Sequence, residues 1–192
     1  MKMIVLRHGT RKRDDDPAVE GYDEKNLPLD AGGRAATKQL AAGLVARGLR
    51  PAVYFTSCFA HGKETAEILR EIMGGDPPAR VVTLCALTPH YQGPKAWRCR
   101  EEWKGVRILE TIGHEARATG NDLRALDVVA FVMHQPRLLQ LLAGVTSESE
   151  SRYVKIGYSE GVCVEAESFD AFLRGEGKEV SLRLTGSARA PE

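Results

Sequence analysis

The stretch Met1-Lys2-Met3-Ile4-Val5-Leu6-Arg7-His8-Gly9 carries an unbroken apolar run that stops at arginine, histidine and glycine. Four apolar side chains in a row, residues 3–6, read as a strand covered on both faces, since a half-exposed strand would alternate. Similar runs recur at residues 52–56, 81–87 and 128–133. Between them the apolar spacing becomes helical. Residues 33–48 place Ala36, Leu40, Leu44 and Val45 on one face, behind Asp30 as a capping residue. Residues 63–73 repeat the pattern with Ala66, Ile68, Leu69 and Ile72, and Gly74-Gly75 ends it. Further helices are expected over residues 102–119 and 136–142. Strand followed by helix, four times over, predicts an α/β domain: a three-layer sandwich with a mostly parallel central sheet flanked by helices. Beyond Gly144 the pattern weakens. Residues 152–156, 161–165 and 180–184 are expected as closing strands, partly antiparallel, with residues 146–151 as a loop and 185–192 as a frayed end. No repeat, linker or low-complexity tract interrupts the chain, so residues 1–192 are expected to form a single domain.

With 43% hydrophobic and 28% charged residues over 192 positions, the composition is that of a folded domain. The 27 Lys and Arg against 26 Asp and Glu leave a net charge of +1. Such a balance supplies no general field for nucleic acid or an anionic membrane, and neither is expected as a partner. An anion would have to be held by a local cluster. Cys58, Cys85, Cys99 and Cys163 form no Cys-x-x-Cys pair and no zinc spacing with the five histidines. Scattered cysteines of this kind suit a reducing compartment. The apolar run near Met1 is too short for a signal peptide or a spanning helix, so a cytoplasmic location is expected.

Open α/β sheets bind ligands past the carboxyl ends of their strands. Past the first strand stand Arg7, His8 and Gly9, past the second Ser57, and past the fourth His134. A histidine at one strand end is by itself more often a surface or hydrogen-bonded residue than a catalyst. Two imidazoles and a guanidinium brought to one sheet edge are a different matter, because together they suit a tetrahedral anion.

Residues 5–9, Val-Leu-Arg-His-Gly, resemble the Arg-His-Gly signature of the histidine phosphatase superfamily. Further features resemble it in the expected order. Residues 27–32, Leu-Pro-Leu-Asp-Ala-Gly, are similar to the opening of that superfamily's first helix. Residues 55–66 resemble its Ser-Pro-Leu-x-Arg-Ala-x-Gln-Thr-Ala block, and residues 128–139 the strand and turn holding its second catalytic histidine. The short length, Leu87-Thr88-Pro89 and His134-Gln135-Pro136 are most similar to the compact bacterial phosphohistidine phosphatases of the SixA type. The resemblance spans about residues 1–145. It implies a phosphoglycerate mutase-like fold and a phosphatase that transfers a phosphoryl group to His8 and then to water. It implies catalytic roles for His8, Arg7 and His134, and phosphate binding by Arg7, His134, Gly9 and Ser57. No metal ion or other cofactor is implied, and the expected substrate is a phosphorylated small molecule or phosphoprotein, phosphohistidine among them.

The chemistry fits those residue types. A phosphoryl group in transfer spreads negative charge over its equatorial oxygens, so catalysis is chiefly positioning and charge stabilisation. A neutral imidazole attacks phosphorus in line and splits one displacement into two. Arg7 disfavours protonation of its neighbour and offers a planar fork to the oxygens. His134, protonated against a phosphate dianion, would add a donor.

The chain also departs from the pattern. Where the superfamily has a second phosphate-gripping arginine, this chain has His61. Two readings stand: His61 caps a helix or faces water, or it donates to phosphate from the start of the second helix. Arg11 resembles the later arginine of the acid phosphatase branch and is a second candidate phosphate ligand. Yet the run Arg11-Lys12-Arg13-Asp14-Asp15-Asp16 also reads as solvated surface. No general acid stands out; His90 is a candidate, as is one of Asp14 to Asp16. Residues 95–107 interleave Trp97 and Trp103 with cations, which reads as the mouth of a pocket or as packing. Two alternatives to a phosphatase remain: a phospho-ligand binding domain without turnover, and a mutase acting on sugar phosphates.

Overall fold

Met3, Ile4, Val5 and Leu6 are all fully buried because their side chains alternate between two separate cores. The computed structural model describes residues 1–12, 27–88, 105–135, 137–149, 153 and 156–185, apart from the side chains of residues 85, 105, 106 and 181–185. The strand containing the opening run, β1 (Lys2–Arg7), lies inside a six-stranded sheet. On one side it pairs in parallel with β4 (Val128–Met133), which pairs in parallel with β2 (Val53–Thr56). The edge beyond β2 is β3 (Arg80–Thr83), again parallel. On its other side β1 pairs antiparallel with β5 (Glu160–Glu165), and β6 (Lys178–Thr185) closes that edge antiparallel to β5. The order is thus β3-β2-β4-β1-β5-β6.

Helices α1 (Ala31–Ala46) and α2 (Ala60–Met73) cover the face formed by Ile4, Leu6, Tyr54, Ala130 and Val132. Helices α3 (Gly105–Ala118), α4 (Arg137–Thr146) and α5 (Phe169–Leu173) cover the other face. There Phe55 and Phe131, on adjacent strands, stack with ring centroids 5.6 Å apart. This is the expected three-layer arrangement. Among the described residues, no helix is long and apolar enough to cross a membrane.

Helix starts and stops follow local chemistry. Asp30 caps α1, its Oδ1 accepting from the Gly33 N–H at 2.6 Å and from the Thr10 hydroxyl at 2.7 Å. The cap moves the helix start back to Ala31, two residues before the expected one. Gly74 ends α2 at φ +57°, a backbone region that costs a side-chain-bearing residue energy.

Three expectations for irregular segments need correction. Residues 81–87 are not one strand: β3 stops at Thr83, and Cys85–Leu87 form a 3-10 turn. Among the described residues no strand lies beyond that edge; the Ala86 N–H donates to Glu115 Oε2 at 2.9 Å and its carbonyl accepts from Arg137 Nη1 at 3.1 Å. Of residues 152–156, Tyr153 sits in a 3-10 turn and Ile156 outside any strand. Both are buried in the α3–α5 core, so their apolar character anchors a loop. The fourth helix runs on to Thr146, and the short α5, capped by Ser168, was not signalled by apolar spacing.

Candidate active site

The sheet brings the ends of β1, β2 and β4 level. Arg7 is in register with Met133 and Thr56 with Val132, so His8, His134 and Ser57 leave adjacent strands side by side. The His8 N–H donates to the Met133 carbonyl at 3.2 Å and fixes that alignment. Opposite them, the first turn of α2 presents His61. Ring centroids lie 4.3 Å apart for His8 and His61, 4.5 Å for His8 and His134, and 5.0 Å for His61 and His134. The three residues are only 5, 1 and 6% exposed. One ring nitrogen from each lies within 4.8 Å of those of the other two.

Hydrogen bonds settle which nitrogens of His8 and His61 carry the proton. His8 Nδ1 is 2.7 Å from the Gly9 carbonyl, which can only accept. The proton therefore sits on Nδ1, and Nε2 carries a free lone pair. His61 Nδ1 donates in the same way to the Leu27 carbonyl at 3.0 Å. His134 Nε2 meets the Ser57 hydroxyl at 2.7 Å, where either group can donate. Ser57 is itself held by the Phe59 N–H at 3.4 Å.

The chain here tolerates no extra bulk. A Cβ on Gly9 would lie 2.9 Å from both the Gly33 carbonyl and Thr37 Oγ1. The Gly9 N–H donates to Thr65 Oγ1, whose hydroxyl in turn donates to the His61 carbonyl. Gly9 thus locks the turn after His8 onto α1 and α2. Gly62 permits a similar approach: a Cβ there would lie 2.7 Å from Ser57 Oγ.

Arg7 is positioned from the far side of the sheet. Its Nη1 donates to the Ile156 carbonyl at 3.2 Å, and its guanidinium lies 3.8 Å over the Tyr158 ring. Its buried Nε has no hydrogen-bond partner among the described residues, leaving a donor for a ligand. Tyr158 also sets its edge against His8, with ring centroids 5.3 Å apart. The next residue, Ser159, holds the turn: its N–H donates to the His8 carbonyl at 3.1 Å.

Burial, foremost, holds all three imidazoles neutral. His8 is pushed down to about 2 by burial, then by His134 and His61. His134 is pushed to about 3 by burial, then by His61, Arg7 and Arg11. His61 falls to about 4 through burial; the Leu27 carbonyl raises it and Arg11 lowers it. Without an anion His134 is therefore neutral; the protonated form was expected only against a bound dianion. His61 does not face water, which removes that reading.

The structure brings together Arg7, His8, Gly9, Ser57, His61 and His134. Arg11 forms an isolated bridge with Leu29 and is near enough for its charge to act on both His61 and His134. His90, Asp14 to Asp16, Trp97 and Trp103 lie outside the described residues. Tyr158 and Ser159 were missed. Searching past the carboxyl ends of strands could not find them, because β5 runs antiparallel and delivers its amino end to this edge.

Compared by sequence, the chain matches no family model and no curated protein. Compared by structure, it is similar to the protein histidine phosphatase SixA complexed with tungstate, at 16% identity and TM-score 0.67, covering 97% of each chain. It is similar to the ecdysone phosphate phosphatase from Bombix mori in complex with tungstate, at 14% identity and TM-score 0.64, covering 100% of this chain and 95% of that one. It is also similar to the mycobacterial glucosyl-3-phosphoglycerate phosphatase in complex with VO3, at 18% identity and TM-score 0.57, covering 95% and 98%. The six-stranded sheet, its flanking helices and these near-full-length matches give the chain a phosphoglycerate mutase-like fold.

Proposed function

We propose that this chain is a histidine phosphatase that forms a phosphohistidine at Nε2 of His8 and hydrolyses it. The observation that carries the reading is the tautomer of His8. Its Nδ1 proton is committed to the Gly9 carbonyl, so the Nε2 lone pair is free on a ring packed against those of His61 and His134. In the first step that lone pair forms an N–P bond as phosphorus releases the leaving group with its bonding electrons. In the second, water attacks phosphorus, the N–P electrons return to Nε2, phosphate departs with the hydroxide part of the water, and the remaining proton passes to solvent. Arg7 supplies a fixed positive charge and its unpartnered Nε–H to the equatorial oxygens. A bound dianion raises the pKa of His61 and His134, so each is expected to take up a proton and become a donor.

The leaving group is the finer part of the proposal. Glu64, the carboxylate whose charge reaches His61, has both oxygens engaged, by the Leu29 N–H at 2.7 Å and Arg34 Nε at 2.5 Å. It is poorly placed to deliver a proton. Alkoxides need one on departure, whereas an imidazole, a phenolate or a phosphate does not need a buried acid. The reading therefore favours phosphohistidine, on a small molecule or a protein, or an aryl or anhydride phosphate, in the cytoplasm. His61 in place of a bidentate arginine favours one second reading, a domain that binds a phosphorylated ligand without turnover.

The test is turnover of an aryl phosphate and of phosphohistidine by the wild type and by His8→Ala. The proposal expects an acid-labile phosphoprotein in the wild type only, and no turnover in the variant. Vanadate binding with no turnover in the wild type supports the second reading. Undiminished turnover in His8→Ala refutes the covalent route.

A further inference from the structure

We propose that His8, His61 and His134 also bind one zinc-type divalent cation, and that the bound cation silences His8 as a nucleophile. One ring nitrogen from each histidine lies within 4.8 Å of those of the other two, in a buried cluster. A tetrahedral ion with Zn–N bonds of about 2.0 Å needs nitrogens about 3.3 Å apart. Side-chain shifts of about 1 Å close that difference, well within rotamer relaxation.

The surroundings are those of a metal site as well as of an anion site. Imidazoles that bind metals are oriented by a hydrogen bond from their other nitrogen. His8 is so held by the Gly9 carbonyl and His61 by the Leu27 carbonyl. His134 has the Ser57 hydroxyl, which can donate or accept and so serves either tautomer. Both Glu64 oxygens are already engaged, which leaves a donor set of imidazole nitrogens. Such a set selects zinc, cobalt or copper over magnesium or calcium. His61 decides the matter: an arginine there would bring a permanent charge and no lone pair, whereas histidine completes a trio. Arg7 and Arg11 oppose a dication, and their charge favours an anionic fourth ligand, hydroxide or a phosphate oxygen.

The Nε2 lone pair of His8 cannot bond a metal and phosphorus together, so loading blocks the first transfer step. That consequence rests on the phosphatase reading; the binding of the cation does not.

The experiment titrates the metal-free full chain with Co²⁺ and follows the visible absorption of a tetrahedral, nitrogen-ligated ion. One equivalent should bind, and Zn²⁺ should displace it. His61→Gln, with an unchanged circular dichroism spectrum, should weaken Co²⁺ binding by about 100-fold or more. No visible band in folded wild type overturns the site, as does full affinity in both His61→Gln and His8→Gln. A parallel aryl phosphate assay in chelator separates the two claims. Turnover without a cobalt band refutes the metal site alone, whereas a band without turnover refutes the phosphatase reading alone. Turnover that one equivalent of Zn²⁺ abolishes supports both.

Discussion

Keeping three imidazoles neutral inside a protein makes it sensitive to acid, and the size of that sensitivity can be worked out. In the unfolded chain each histidine titrates near 6.5, while in the folded protein His8, His134 and His61 fall to about 2, 3 and 4. Above the unfolded value both states are neutral, and pH has no effect through these groups. Below it the unfolded chain takes up protons that the folded protein refuses, so stability is lost as pH falls towards the folded values. Between about pH 7.5 and about pH 5.5 each histidine contributes a loss of about 1 to 2 kcal/mol, about 4 kcal/mol for the three together. That is a large share of the total stability of a domain, about 5 to 15 kcal/mol. The charges facing the cluster, Arg7 from β1, Arg11, and Glu64 from α2, are part of the folded values. The assay is urea unfolding at both pH values for the wild type and His61→Gln, whose amide can still donate to the Leu27 carbonyl. The variant should lose about 1 to 2 kcal/mol less than the wild type between the two conditions. Equal losses would mean that His61 is charged in the folded protein, and the neutral cluster would be wrong.

Other expectations are as direct. His61→Arg should tighten vanadate binding by about tenfold through a charge-assisted fork, at a stability cost of about 1 to 3 kcal/mol for overpacking a buried site; isothermal titration and urea unfolding check the two parts, and weaker binding refutes the placement. Gly9→Ala should destabilise the fold by about 1 to 3 kcal/mol, since its Cβ would press 2.9 Å from the Gly33 carbonyl. Thermal melting reads that loss. Tyr158→Ala removes the ring over Arg7 and should weaken vanadate binding by about threefold to tenfold with little change in melting temperature, because Tyr158 is 43% exposed. An unaltered affinity would mean that Ile156 alone positions the guanidinium.

The parts of this architecture that sequence makes visible are those set by local chemistry. Residues 128–133 read as a strand and are one, because buried parallel strands need continuous apolar runs. Asp30 and Gly74 mark helix ends because capping and left-handed backbone have strong residue preferences. The meeting of His8 with His134 was also legible, since strand ends in such a sheet share an edge. What was not legible depends on tertiary contact. Residues 84–87 are as apolar as a strand, but the backbone of Ala86 bonds side chains of α3 and α4 instead of a neighbouring strand. Tyr158 and Ser159 reach the site because β5 reverses direction, which no residue near them announces. The tautomer of His8 is set by a carbonyl one residue away, through a turn that Gly9 permits.

The sheet order has a consequence for how the chain is made. Of the strands in this sheet β1 is translated first, yet its two partners are β4 and β5, which come more than a hundred residues later. Until Met133 has emerged neither edge of β1 has its strand partner, and until Glu165 one edge is still open, so the nascent polypeptide carries an unpaired ribbon that invites association with other chains. Stalled or shortened translation products ending before that point should therefore be insoluble or chaperone-bound.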